Sequence, residues 1–168
     1  KILAAFAVCF AIAASLMACA NDSAPEGFTS ITFWAAVDEN TDAYYSELVD
    51  TYNNGQGKED LVYVKYQPRG SDYSSNVGTT LSSSRAPEVM VISDKYFKNY
   101  AAQNYFTNID ELLANDALTT KDDSGQAILD LSDIPSRSVD RFRLNVETRE
   151  AGTGTTLYGI PNGDNPTI

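Results

Sequence analysis

None of the 168 residues is histidine, which excludes Ser-His-Asp and Cys-His nucleophilic machinery and His-ligated zinc. Adjacent acids stand at Asp110-Glu111 and Asp122-Asp123. Glycoside hydrolysis also uses two carboxyl groups, but it needs them at a set separation across the scissile bond, and neighbouring acids in a sequence are ordinarily solvated. Asp122 to Asp130 fails the calcium-loop pattern, because Gly125 and the terminal acid fall at the wrong spacing. No catalytic residues, metal ligands or cofactor are therefore expected. The thiols are Cys9 and Cys19.

The context of the thiols assigns them different fates. Residues 2 to 18, ILAAFAVCFAIAASLMA, carry no charge and follow Lys1, as a secretory signal does. A stretch of about 20 apolar residues would also span a bilayer, but its Ala-rich composition and small-residue end favour cleavage. Leu16-Met17-Ala18-Cys19 puts a large aliphatic residue and a small one at the right places before a cysteine, which resembles the lipobox of bacterial lipoproteins. The resemblance implies removal of residues 1–18 and acylation of Cys19, with enough chains for stable anchoring. Cys9 leaves with the signal, so no intrachain disulfide is expected. Cleavage takes away Lys1 alone among the charged residues and moves the formal net charge from −11 to −12. Such an acidic domain lacks the basic stripe that nucleic acid requires.

The elements that must position any binding groups follow. Residues 19–27 contain the small, polar and breaker residues of a flexible tether. From Phe28 the apolar periodicity alternates between strand and helix, the pattern of an α/β domain with a mostly parallel sheet flanked by helices. Strands are expected at Ile31–Val37, Leu61–Tyr66, Glu88–Ser93 and Leu157–Pro161. A helix over Thr41–Tyr52 has Tyr45, Leu48, Val49 and Tyr52 on one stripe. Weaker helical patterns cover Asp72–Ser84, with Tyr73, Val77 and Leu81 at i+4 spacing, and Ile109–Asn115, with Leu112 and Leu113 facing inward. Asp94–Gln103 and Asp133–Val146 read as helices, the latter with Val139, Phe142 and Val146 on one face. Residues 119–126 are expected to form a surface loop.

The order of these pieces behind a lipobox resembles the N-terminal half of the family 1 extracellular solute-binding proteins, lipoprotein receptors of sugar-type ABC importers. ITFWAAVD resembles their opening strand and ligand-facing turn. YNN followed by VYVKYQ is similar to their next two elements. RAPEVMVISDKYFKNYAAQNYFTNI resembles their third strand, ligand loop and helix, and LYGIPNGDNPTI the first hinge crossover. The resemblance implies a periplasmic-binding-protein-like fold of type II. Residues 28–161 would form the N-terminal lobe and 162–168 the crossover, with the second lobe absent, so an incomplete chain is expected, one that binds sugar weakly or not at all.

Open α/β sheets bind ligands beyond the carboxyl ends of their strands, which selects the loops after the first and third strands. Carried over position by position, Asp38 and Glu39 lie in the first loop, Asp94 and Lys95 in the second, and Asn162 and Asn165 at the crossover. Carboxylates and amides of this kind bind sugar hydroxyls. Val91 and Glu39 depart from the residues the family usually places there, which leaves the solute class open. Asp94 directly precedes a helix and serves equally as an N-cap, Asp38 suits a plain polar turn, and Trp34 within its strand is a core residue before it is a sugar platform. The resemblance thus implies an extracytoplasmic, membrane-tethered monomer that closes two lobes around a mono- or oligosaccharide and delivers it to ABC permease subunits. The other class of function that fits is a surface lipoprotein enzyme with carboxylate chemistry on carbohydrate.

Overall fold

Strand β1, Thr29–Ala36, runs through the centre of the domain. Its β-branched and aromatic residues favour an extended chain, and its side chains divide between two helical layers. The computed structural model describes residues 23–36, 39–70, 72–114, 131–152 and 154–162, with only the backbone of Glu39 and Asn40. The expected signal, residues 19–22 of the tether and the 119–126 loop lie outside the described residues. On one side of β1 pairs β2, Val62–Arg69, in parallel from Thr29 opposite Val62 to Ala36 opposite Arg69. On the other side pairs β3, Val89–Met90, also parallel. The order β2-β1-β3 makes the protein an α/β chain built on a three-stranded parallel sheet flanked by helices.

Both faces of that sheet are covered, as parallel sheets require. Phe33 and Ala35 pack with Tyr45 and Val49 of α1, Glu39–Asn54. Trp34 points the other way, onto Val77 and Tyr100. The buried stripe of α1 is rotated from the expected one. Leu48 is 49% exposed, and the positions that meet the sheet are Asp42, Tyr45, Val49 and Asn53. Polar contacts at the stripe's two ends cause the rotation. The Tyr66 hydroxyl donates to Asp42 Oδ1 at 2.9 Å. The Asn53 amide brackets Val64, taking its N–H at 2.8 Å and donating to its carbonyl at 2.9 Å. Asn53 thereby covers the outer edge of β2, which would otherwise offer an open ladder.

The connections are short. A single helical turn, α2, Gln56–Glu59, links α1 to β2. After β2, the pattern over 72–84 resolves into two turns, α3, Tyr73–Asn76, and α4, Gly78–Leu81, that meet at Val77. Gly78 lies against the Tyr100 ring, 3.0 Å from where a Cβ would sit. Strand β3 is shorter than expected at both ends, and at its start Glu88 turns its carboxylate onto the Thr32 amide at 2.7 Å in place of a backbone partner. Helix α5, Asp94–Ala101, buries Phe97, Tyr100 and Ala101. Helix α6, Ile109–Leu113, is capped by the Asn108 side chain, which accepts from the Glu111 amide. Leu112 is 41% exposed rather than facing inward.

The largest correction concerns residues 133–146. Only α7, Ser136–Asp140, is helical. The chain then forms β4, Arg143–Leu144, antiparallel to β5, Thr156–Leu157, in a separate two-stranded sheet. Pro161 therefore ends no parallel strand. Asn145 Oδ1 accepts the amides of Glu147 and Thr148, an Asx-type turn. Arg149, Gly152 and Gly154 all have positive φ. This reversal brings Leu144 and Leu157 to 1% and 0% exposure, whereas a helix continued to Val146 would forgo the pairing. Among the described residues no helix is long and apolar enough to cross a membrane.

Candidate functional site

The order β2-β1-β3 sends the chain to one side after β1 and to the other on its return. The carboxyl ends of β1 and β3 are therefore a topological switch point, where an open sheet leaves a crevice. Three groups of side chains are built on these strands and on the helices of the chain. The first lies over the β1–β2 pair. Trp34 Nε1 and an Arg69 guanidinium nitrogen both donate to Gln67 Oε1, at 2.9 and 2.6 Å. The Arg69 guanidinium stacks 3.7 Å above the centre of the Trp34 ring. Trp34 is thus a core residue with one face occupied by a cation, as its strand position suggested. Arg69 Nε and the Tyr73 hydroxyl are buried without a hydrogen-bond partner among the described residues. They are two polar groups that a bound oxygen would satisfy. Burial pushes the Tyr73 phenol up to about 12.

The second group lies under α1. Phe33, Tyr45 and Tyr66 form an aromatic cluster with ring centres 5.6 to 6.3 Å apart. Asn162 Nδ2 donates to the Tyr45 hydroxyl at 2.7 Å, across 117 positions of sequence. The segment that carries Asn162 arrives there by way of α5. A Cβ on Gly159 would meet the Phe97 ring at 3.2 Å and the Phe142 ring at 3.3 Å, so this residue runs flat across them.

The third group surrounds an open cavity of about 660 Å³ lined by Asp94, Lys95, Lys98, Arg137, Asp140 and Arg141. Spacing on two short helices creates it. Residues 94, 95 and 98 fall on one face of α5, and residues 137, 140 and 141 fall on one face of α7 and its C-terminal residue. An ion pair between Arg141 and Asp94 joins the two walls. Behind them Asp140 approaches Arg143 Nε at 3.7 Å. Arg143 also donates to both oxygens of Asp110, which accepts the Leu157 amide as well. Burial pushes the Asp110 carboxyl up, but the bonds from Arg143 and Leu157 and the guanidinium charge outweigh it and hold the group below the usual carboxylate range.

The sequence-predicted residues are distributed over these groups. Asp94 and Lys95 come together in the third. Asp94 is not an N-cap: Ser93 occupies that position with extended dihedrals, and Asp94 is the first helical residue. Lys95 Nζ sits 5.3 Å over the Tyr96 ring. Asn162 belongs to the second group, where it is bonded to Tyr45. Glu39 opens α1 as its first residue. Cys19, Asp38 and Asn165 lie outside the described residues. Sequence reasoning missed Gln67, Arg69, Arg137 and Arg141. The first two were legible, since they end β2 just before Gly70 and the same strand-end rule covers them. The last two are not, because the apolar pattern places them inside a longer amphipathic helix over Asp133–Val146. Among the described residues no group of three acids or cysteines is placed to hold a metal ion. No protein-family model matches the chain, and no curated protein matches it.

Proposed function

We propose that the chain is the N-terminal lobe of a lipid-anchored, extracytoplasmic solute-binding receptor of an ABC importer, with a type II periplasmic-binding-protein-like fold and a saccharide as solute. The observation that carries the proposal is the path of residues 159–162. They leave β5, cross Phe97 on the helix after β3, and end with Asn162 bonded to Tyr45 on the helix after β1. The segment that the sequence resemblance names as the hinge crossover thus borders the helices that follow both strands of the switch point. Amides, carboxylates and phenols at that edge offer the mixed donors and acceptors that polyols require. Closure of a second lobe over this edge would supply contacts made only in the closed state, and that differential affinity shifts the population toward closure.

Titration calorimetry of the full-length protein against a panel of mono- and oligosaccharides, with product analysis, tests the proposal. Saturable binding without turnover is expected. Failure to bind any saccharide sinks it, and release of new reducing ends replaces it with the carbohydrate-active enzyme. The anchor is tested separately: wild-type protein should incorporate labelled palmitate in a bacterial host, and Cys19→Ser should not.

A further inference from the structure

The cavity between α5 and α7 has an electrostatic character opposite to that of the chain around it. Four cations, Lys95, Lys98, Arg137 and Arg141, line it with two carboxylates, Asp94 and Asp140. The chain has only 12 basic residues and a formal net charge of −11. One third of its cations thus converge on one basin. Against the two carboxylates the lining keeps a formal excess of two positive charges: Asp94 pairs with Arg141, while Arg143, which approaches Asp140 from outside the lining, is itself held by both oxygens of Asp110. A concave, locally positive basin in an acidic surface concentrates the field on whatever anion enters it. Its volume of about 660 Å³ falls within the ordinary range for small-ligand sites. Guanidinium and ammonium groups together give forked and point-charge donors suited to carboxylate or phosphate oxygens. Lys95 and Lys98 are exposed on the α5 side and can turn their ammonium groups inward.

On the basis of the receptor proposed above, we infer that this basin receives the anionic group of an acidic saccharide, a carboxylate or a phosphate, beside the switch point. Neutral parts of the sugar would lie toward the polar edge of the sheet. The inference therefore narrows the solute from sugars in general to charged ones and assigns Lys95 and Lys98 the recognition of that charge.

Calorimetry on the full-length protein with matched probes tests it: glucuronate against glucose, galacturonate against galactose, glucose 6-phosphate, and inorganic phosphate alone. At least one charged sugar should bind about tenfold or more tightly than its neutral counterpart, the gain expected from one added charge-assisted contact. That preference should shrink as salt rises. The double variant Lys95→Gln/Lys98→Gln, altered only at exposed positions, should keep the far-UV spectrum and lose the preference. Equal binding of neutral and charged sugars, or a preference that survives in the double variant, overturns the inference and leaves the receptor standing. Inorganic phosphate binding as tightly as glucose 6-phosphate overturns it too, since the basin would then read a bare anion. Binding of no saccharide overturns both.

Discussion

Asp110 is the residue on which the β4–β5 hairpin hangs. Its carboxylate takes two bonds from Arg143, at 2.9 and 3.0 Å, and one from the Leu157 amide at 2.9 Å. Both side chains keep partial contact with solvent, so screening discounts the charge term and leaves the hydrogen bonds as the main contribution. Asp110→Asn should cost about 1 kcal/mol at neutral pH, measured by urea unfolding. Because the folded pKa is depressed, this contribution is present above the ordinary carboxylate value of about 4 and is lost as pH falls through the lower folded value. Wild type and variant should therefore converge in stability at acid pH, and a constant difference down to the lowest pH would contradict the assignment. The tyrosines act at the opposite limb. Burial first, then the bond to Asp42, raises the Tyr66 phenol, and burial raises Tyr73 to about 12. The native state then holds protons that the unfolded chain releases above about pH 10, so stability should fall with pH beyond that point. Tyr66→Phe should make the decline shallower, as read from unfolding midpoints at successive alkaline pH values.

At the scale of elements, the turn between α1 and β2 depends on a close approach rather than on an unusual dihedral. Gly57 is buried, and a Cβ there would stand 2.7 Å from the Val62 carbonyl and 3.0 Å from the Tyr52 ring. The nearest obstacle is backbone at the start of β2, which cannot swing aside. Gly57→Ala should cost about 1–3 kcal/mol, as overpacking does, and calorimetric melting would show it as a lowered Tm. A variant as stable as wild type would mean that α2 can shift away from β2. The same element explains why α1 turned from its expected stripe. Periodicity counted Leu48 among the apolar positions, but helix orientation was settled by Asp42 and Asn53, whose polar bonds reach the sheet.

For the molecule as a whole, Phe97 is the joint between the parallel sheet and the hairpin. It is 2% exposed, stacks on Phe106 at 5.7 Å and meets Phe142 edge-on at 5.1 Å. Phe97→Ala should cost about 3–5 kcal/mol. Trp34, the only tryptophan, reports on the sheet by fluorescence, while circular dichroism reports on all elements. Coincident, equally lowered midpoints by both probes are expected if sheet and hairpin unfold together. A Trp34 transition left at the wild-type midpoint would show that the hairpin melts alone.

Local pattern alone determined the succession of the first strand, the long helix after it, the second and third strands and the helix that begins at Asp94, the parallel class of the main sheet, and the presence of Asp94 and Lys95 after a strand's carboxyl end. These features depend on side-chain period and propensity over a few residues, which a chain carries wherever it goes. Tertiary structure alone decided that residues 143–144 pair with 156–157 instead of prolonging a helix, since the burial of Leu144 and Leu157 depends on both segments meeting. It also chose the partners: Arg141 for Asp94 across 47 positions and Tyr45 for Asn162 across 117. A residue's type states what it can bond, but which group comes within reach is a property of the whole chain's path.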